Sequence, residues 1–122
     1  MQWELDSERP VYIQLIEQIQ AGIISGYFKP GDKLPSVRDL AADAMVNPNT
    51  MQKALAELER IGLVFTNRTS GRNITSDEAM IKMLKGQSAK EYVQDFIERM
   101  KQLGFDPKET LQLVTEIINK EL

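Results

Sequence analysis

The sequence of 122 residues predicts a mainly α-helical, α+β fold with one small β-hairpin. Three observations predict it. Apolar residues recur every three or four positions in several segments, and most of these segments are bounded by residues that cap helices. A short β-branched and aromatic segment is followed by turn-forming residues and by a second short segment that can pair with it. The length fits one globular unit with a short appendage.

Two helices are predicted in the first third of the chain. The first begins at Arg9-Pro10, where proline suits the first helical position, and ends at Gly26. A loop with a Pro-Gly turn signal follows it. The second helix begins within residues 34–39, where Ser36 and Asp39 have the spacing of a capping box, and it ends near Asp43. It is therefore short.

A tight turn leads into the third predicted helix, residues 48–61, for which Asn47 is the predicted N-cap. Residues 63–66 are predicted to form a strand because they are β-branched and aromatic. Turn-forming residues occupy positions 67–71, and residues 72–75 are predicted to form a short return strand. The order is thus helix, helix, turn, helix and hairpin.

Two more helices are predicted after residue 75, and together they form a helical hairpin. Residues 85–88 predict either a kink or a break in the first of them, and Asp106-Pro107 predicts the start of the second. The composition changes after residue 75, so we divide the chain into a first domain, residues 1–75, and a two-helix tail, residues 76–122.

The apolar stripe of this tail needs a partner, because a helical hairpin is marginal by itself. It can pack on the first domain or on a second subunit. We favour a second subunit because a capped helix start sets the tail apart. The predicted dimer interface consists of Tyr92, Val93, Phe96, Ile97, Met100, Leu111, Val114 and Ile118.

Composition makes an enzyme the least supported class of function. The chain has no cysteine and no histidine, which removes thiolate chemistry, the commonest metal ligand and the usual general base. No set of acid, base and nucleophile stands out, so no catalytic residue, metal site or cofactor is predicted. The start of the sequence lacks the apolar segment of a signal peptide, and the longest apolar run is Leu63-Val64-Phe65. A cytoplasmic protein that does not enter the membrane is expected.

The charge of the chain gives a mixed indication of its partner. The net charge of −3 argues mildly against binding nucleic acid, because phosphate neutralisation dominates that affinity. Residues 33–72, however, contain six cations and four anions, and most of the excess negative charge lies in the first eight residues and after residue 75. A locally positive face on an acidic chain is compatible with this distribution.

Two helices joined by a three-residue turn and followed by a hairpin form a winged helix-turn-helix, a DNA-binding arrangement. Its second helix presents polar residues at its start, and asparagine and glutamine amides can each bond bidentately to adenine. Helix capping and ordinary solvation also explain these residues. A winged helix that binds protein instead of DNA is the alternative function. The candidate DNA contacts are Ser36, Arg38, Asn47, Pro48, Asn49, Thr50, Gln52, Lys53, Arg68 and Arg72.

The run P-G-D-K-L-P-S-V-R-D-L-A at residues 30–41 and the run V-N-P-N-T-M-x-K-A-L that follows add a specific resemblance. Residues 9–75 closely resemble the amino-terminal domain of GntR-family transcription regulators. The resemblance implies a winged-helix domain of repressor type that binds a palindromic operator as a homodimer, with Arg38 and the start of the third helix at the DNA. Asn73 stands where the family's wing has a second glycine or an aromatic residue.

The short tail is similar to that of the YtrA-type branch of this family, in which the tail is thought to serve dimerisation. A tail of 47 residues is too short for the larger sensor domains of other branches. For a small-molecule effector, the sequence offers the dimer interface near Tyr92, Phe96 and Met100, or the junction of domain and tail. No polar cluster there indicates a ligand class.

Overall fold

A computed structural model describes residues 1–69 and 71–121 of the chain. Ser70, in the predicted turn, and Leu122 lie outside the described residues. The described part confirms the predicted mainly α fold with a small β-hairpin. Its elements are α1 (Val11–Ser25), α2 (Val37–Ala44), α3 (Pro48–Arg60), β1 (Val64–Asn67), β2 (Gly71–Ile74), α4 (Glu78–Gln102) and α5 (Pro107–Glu121).

The chain divides into two compact units, residues 1–83 and residues 84–122, with the boundary inside α4. The first unit extends past the predicted boundary at residue 75 because the start of α4 packs in it. Ile81 is buried there, and the Met80 side chain lies against Gly62 at the end of α3. In α4 the helix continues through residues 85–88 without a break.

Helix α3 is the centre of the first unit, since it packs against α1, α2 and β1. Its apolar residues recur every three or four positions and are all buried, as the periodicity predicts. Side chains from α1, from the turn before α2 and from both strands complete this core. Its largest fully buried members are Leu15, Ile19, Ile23, Met51, Leu55, Leu58, Leu63, Val64 and Ile74.

The helix ends follow the predicted caps with two differences. The Ser36 hydroxyl accepts a hydrogen bond from the Asp39 amide at 3.1 Å, and Gly26 ends α1 in the left-handed conformation with φ of 87°. Pro10 is the N-cap of α1 and not its first residue, so the helix begins one residue later than predicted. Helix α2 begins at Val37, directly after the predicted cap Ser36, so Leu34 and Pro35 at the start of the predicted range precede the helix. The residue before a proline is driven to extended conformation, and here that residue is Leu34.

Leu34 instead adds a third segment beside the hairpin. Its amide donates to the Arg72 carbonyl at 2.9 Å, and the Ile74 amide donates to the Asp32 carbonyl at 2.8 Å. The hairpin itself is antiparallel, with Val64 opposite Ile74, and each strand is shifted by one residue from its prediction. This pairing joins the segment before α2 to the wing.

Met45, in the turn between α2 and α3, has a left-handed backbone with φ of 57°, which costs a residue with a Cβ about 1–2 kcal/mol. Its side chain is 91% exposed and adds nothing to the core. Because glycine relieves this cost but gains entropy in the unfolded chain, Met45→Gly is expected to raise the free energy of unfolding by about 0.5–1 kcal/mol. Urea unfolding measures this. Met45→Ala keeps the strained backbone and serves as the control, and a glycine variant no more stable than the alanine variant would contradict the argument.

Candidate nucleic-acid interface

The start of α3 is built by its N-cap. The Asn47 side chain accepts a hydrogen bond from the Asn49 amide at 2.7 Å, and Pro48 occupies the first turn, where its missing N–H costs nothing. The interpretation of Asn47 as a cap is thus confirmed. Because the side-chain oxygen of Asn47 already accepts this hydrogen bond, the side-chain nitrogen of Asn47 is the group that can bind a ligand.

The helical period of α3 separates its two faces. Met51, Ala54, Leu55 and Leu58 point into the core, so the residues between them must point outward. Asn49, Gln52 and Lys53 are exposed, and Thr50 is half-buried. The start of α3 therefore presents two free side-chain amides and an ammonium group on one outward surface, which is the donor and acceptor set that reads base edges.

Lys53 is held by a contact that the sequence does not reveal. Its Nζ lies 4.6 Å from the centre of the Tyr12 ring at the start of α1. A cation above an aromatic face at an exposed site is stabilised by about 0.5–1 kcal/mol. The ammonium group is therefore directed to the edge of α3 that faces the start of α1.

A cleft of about 630 Å³ lies between the start of α2 and the wing. Lys33 and Arg72 bring two cations to its walls and Asp39 brings one carboxylate, and Ser36 lies at the amino-terminal end of α2. The Nε of Arg72 is buried and has no hydrogen-bond partner among the described residues. Ser36 and Arg72 were predicted as separate contacts, and the structure brings them together. Lys33 was missed as a site residue, although it lies inside the most specific sequence run.

The cations of residues 33–72 differ in exposure and in whether a carboxylate of the protein binds them. Arg38 is exposed on α2. Arg60, at the end of α3, is bound to Glu57 through two hydrogen bonds of 2.6 and 2.9 Å. This bond raises the pKa of Arg60 and lowers the pKa of Glu57. Arg60 is thus already partnered, whereas the structure places Arg38 where an external anion can reach it.

The tip of the wing is organised by Asn67, whose side-chain oxygen accepts hydrogen bonds from the amide and the hydroxyl of Thr69, both at 3.2 Å. Arg68 is exposed between them. Asn73, which replaces the expected glycine or aromatic residue, donates from its amide to the Gly31 carbonyl at 3.3 Å. Asn73 therefore ties the wing to the segment before α2.

The predicted dimer-interface residues all lie on α4 and α5, and most of them are solvent-accessible. Tyr92, Val93, Phe96, Leu111 and Ile118 are exposed, and Ile97 and Val114 are half-buried. Met100 differs, because it is only 8% exposed within its own chain and offers little surface to a second copy or to an effector.

Two further features were searched for in the described residues, a metal-binding cluster and a membrane-spanning helix. Among residues 1–69 and 71–121, no three carboxylates, histidines or cysteines are grouped so that they could hold a metal ion. None of the helices described here is both long and apolar enough to cross a bilayer.

An outward polar face at the start of α3, the second helix of the helix-turn-helix, beside a cleft with two cations and a wing, is typical of winged helix-turn-helix DNA-binding proteins. Residues 11–74 match the family described as bacterial regulatory proteins, gntR family. The chain belongs to this family, and it is a DNA-binding transcriptional regulator, not an enzyme.

Individual relatives agree with this assignment. The chain is 42% identical over 100 residues to the HTH-type transcriptional repressor YtrA of Bacillus subtilis. The aligned residues make up 82% of this chain and 72% of that relative. A GntR family transcriptional regulator from Listeria monocytogenes is 37% identical, with a TM-score of 0.86 over 92% of this chain and 98% of that one. AraR(DBD) in complex with operator ORE1 is 30% identical, with a TM-score of 0.53 over 62% of this chain and 94% of that one.

Proposed function

We propose that this regulator is a cytoplasmic homodimeric repressor that binds a palindromic operator. In this proposal residues 1–75 contact DNA and residues 76–122 hold two copies together. The observation that carries it is the start of α3, where free amides and an ammonium group share one exposed surface. A complex of the related AraR domain with an operator, and the repressor YtrA among the relatives, support the same use of the fold.

Base reading is assigned to the exposed amides of α3. A recognition helix enters the major groove with its first residues, and Asn49 and Gln52 are the exposed amides of its first two turns. Each can accept from the adenine amino group and donate to its N7. Thr50 is half-buried, and its main-chain amide already donates to the Asn47 carbonyl at 3.0 Å, so its hydroxyl is the group assigned to a backbone phosphate.

Phosphate contacts are assigned to the cations around this helix. Arg38 on α2, Lys53 over Tyr12, and Arg68 at the wing tip are exposed. Lys33 and Arg72 line the cleft beside Ser36, and these two cations outnumber the one carboxylate in its lining, Asp39. These cations explain how a chain with a net charge of −3 can bind a polyanion, because the charge on the contacting face decides the affinity.

Dimerisation is assigned to α4 and α5 because both display apolar side chains that nothing in the described part of their own unit covers. In α5 only Thr110 is buried. Large exposed apolar side chains on the two helices include Tyr92, Val93, Phe96, Leu111, Ile117 and Ile118. Two copies related by a two-fold axis would bury these faces and present two copies of α3 to half-sites about one helical turn apart.

Fluorescence anisotropy against DNA from upstream of the chain's own gene tests the proposal, with a scrambled duplex and a salt series as controls. We expect tight binding that prefers the upstream duplex, with a log–log salt slope of several units. Equal binding to both duplexes would contradict the assignment of a specific operator there. A monomer by sedimentation at the concentrations used for binding would contradict the homodimer.

Arg38→Ala is expected to weaken binding to every duplex by a similar factor, about tenfold, and to reduce the salt slope by about one unit. The reason is that Arg38 is exposed and supplies a cation to the phosphate backbone, which carries no sequence information. Titrations at several salt concentrations measure this. Arg60→Ala is the matched control, since Arg60 is bonded to Glu57. Wild-type affinity of the Arg38 variant at physiological salt would contradict the contact.

A further inference from the structure

The segment before α1, residues 1–10, which we call the arm, is bound to α1 by two glutamines. The Gln18 side-chain oxygen accepts from the Glu4 amide at 3.0 Å, and its nitrogen donates to the Glu4 carbonyl at 2.6 Å. The Gln14 side-chain oxygen accepts from the Asp6 amide at 2.8 Å, and its nitrogen donates to the Asp6 carbonyl at 2.9 Å. Each glutamine thus binds both backbone groups of one arm residue.

These two amides bind the arm as a neighbouring β-strand would. Glu4 and Asp6 are alternate residues of a segment outside any helix or strand, and Gln14 and Gln18 are one helical turn apart on the same face of α1. Gln14 is 2% exposed and donates a further hydrogen bond to the Arg9 carbonyl at 2.9 Å. Shifting the arm by one residue would break these paired bonds, so the two glutamines determine its register.

The fixed register brings Trp3 to the end of α2. Its indole N–H donates to the Asp43 carboxylate at 2.8 Å. Asp43 lies in the last turn of α2, where a negative charge is disfavoured by the helix dipole, and no cation in that turn offsets it. A carboxylate there would also repel DNA phosphates. DNA attraction does not explain Asp43, whereas its two contacts with the arm do, since the Met1 ammonium group also lies 3.9 Å from the carboxylate oxygen that accepts from Trp3.

Asp43 is also close to the DNA-reading end of the fold. It precedes Met45, the strained turn residue, by two positions and Asn47, the cap of α3, by four. The backbone from Asp43 to Asn47 connects the two helices of the helix-turn-helix. A bond that anchors Asp43 to the arm, and through the arm to α1, therefore restrains one end of this turn.

We propose that the arm is a strap that positions the turn between α2 and α3, with Trp3 and Asp43 as positioning residues for DNA recognition. This rests on the proposed function in one respect, namely that the start of α3 reads the bases. The strap holds the helix-turn-helix in the geometry in which Asn49 and Gln52 meet the base edges together. Loss of the Trp3–Asp43 bond lowers specific affinity more than non-specific affinity, because backbone contacts tolerate a small displacement that base contacts do not.

Four full-length variants test the strap. Trp3→Phe keeps an aromatic ring and loses the N–H donor, and Asp43→Ala loses the acceptor. Asp43→Asn keeps an acceptor oxygen for the Trp3 N–H and removes the charge that faces the Met1 ammonium group, and it is the conservative variant expected to restore wild-type behaviour. Gln2→Ala changes an exposed arm residue beside Trp3 and is the matched control.

Two measurements are made on each variant. Amide hydrogen exchange of the free protein reports on the turn without DNA. Exchange across residues 42–50 is expected to be about three- to tenfold faster in Trp3→Phe and Asp43→Ala than in the wild type. Exchange in the strands of the wing is expected to be unchanged. The ratio of affinities for the specific and scrambled duplexes is expected to fall by a similar factor in both variants.

The two readouts separate failure of the strap from failure of the proposed function. Unchanged exchange in residues 42–50 in both variants overturns the strap whatever the DNA result. Faster exchange with an unchanged affinity ratio overturns its role in recognition. If the wild type discriminates no duplex, the proposed operator binding fails, and the exchange data still decide whether the arm positions the turn. A purely structural role would lower the affinities for the specific and the scrambled duplex by the same factor and leave their ratio unchanged.

Discussion

Val93→Glu is expected to convert the protein from a dimer to a monomer and to lower its affinity for the operator by about a hundredfold or more. Val93 is 54% exposed on α4 and lines a shallow apolar groove of about 470 Å³ with Ala89, Lys90 and Gln94. Packing a second copy there would bury the new carboxylate without a partner, which is strongly unfavourable. Without the dimer, each half-site is bound independently, and the advantage of linking two recognition helices is lost.

Sedimentation equilibrium and anisotropy with the operator duplex measure the two effects on the same samples. Gln87→Glu is the matched control, because it adds the same charge to an exposed polar position of α4. The control is expected to remain dimeric and to keep wild-type affinity. A Val93→Glu variant that stays dimeric, with unchanged helix content, would place the interface elsewhere. A monomer that binds the operator as tightly as the wild type would show that dimerisation does not support DNA binding.

Gln52→Ala is expected to change sequence preference, with a loss of about 1–3 kcal/mol at one base pair of each half-site and little change elsewhere. The side chain is exposed in the second turn of α3, one helical turn from Pro48 at its start. A glutamine amide can form two hydrogen bonds with one adenine, and this pair is lost in alanine. The stability of the protein should be unaffected because Gln52 lies outside the core.

A panel of operator duplexes, each with one base pair changed, measures this effect. For the wild type, changing one particular base pair of each half-site should lower the affinity. For Gln52→Ala, the same change should leave the affinity unaltered. Lys53→Ala is the comparison variant. It removes the exposed ammonium group above Tyr12 and is expected to weaken all duplexes by the same factor. If the base preferences of the Gln52 variant match those of wild type, Gln52 is not a base-reading residue.

Local rules were sufficient wherever a feature depends on residues close in sequence. The N-cap at Asn47, the cap at Ser36 and the buried stripe of α3 are all as predicted. The reason is that helix caps involve neighbours two or three residues apart, and a helical face repeats within four. The order of helices and hairpin, and the outward amides at the start of α3, follow from the same short-range rules.

Features that join distant parts of the chain were not predicted. Leu34 pairs with Arg72 across the wing, so a segment assigned to the start of a helix is extended instead. Lys33 meets Arg72 and Ser36 in one cleft. Which cations gather there depends on this pairing, and periodicity within one segment contains no information about it.

The sequence by itself determined the class of fold, the residues at the start of α3 and the family to which they are similar, because these depend on local spacing and on a run of matching residues. The tertiary structure decided which of the candidate site residues are available to contact DNA or a second copy. It buried Met100, set Lys53 over Tyr12 and tied the arm to Asp43. Such choices depend on contacts between residues that the fold brings together, and burial and charge partners exist only once those contacts are made.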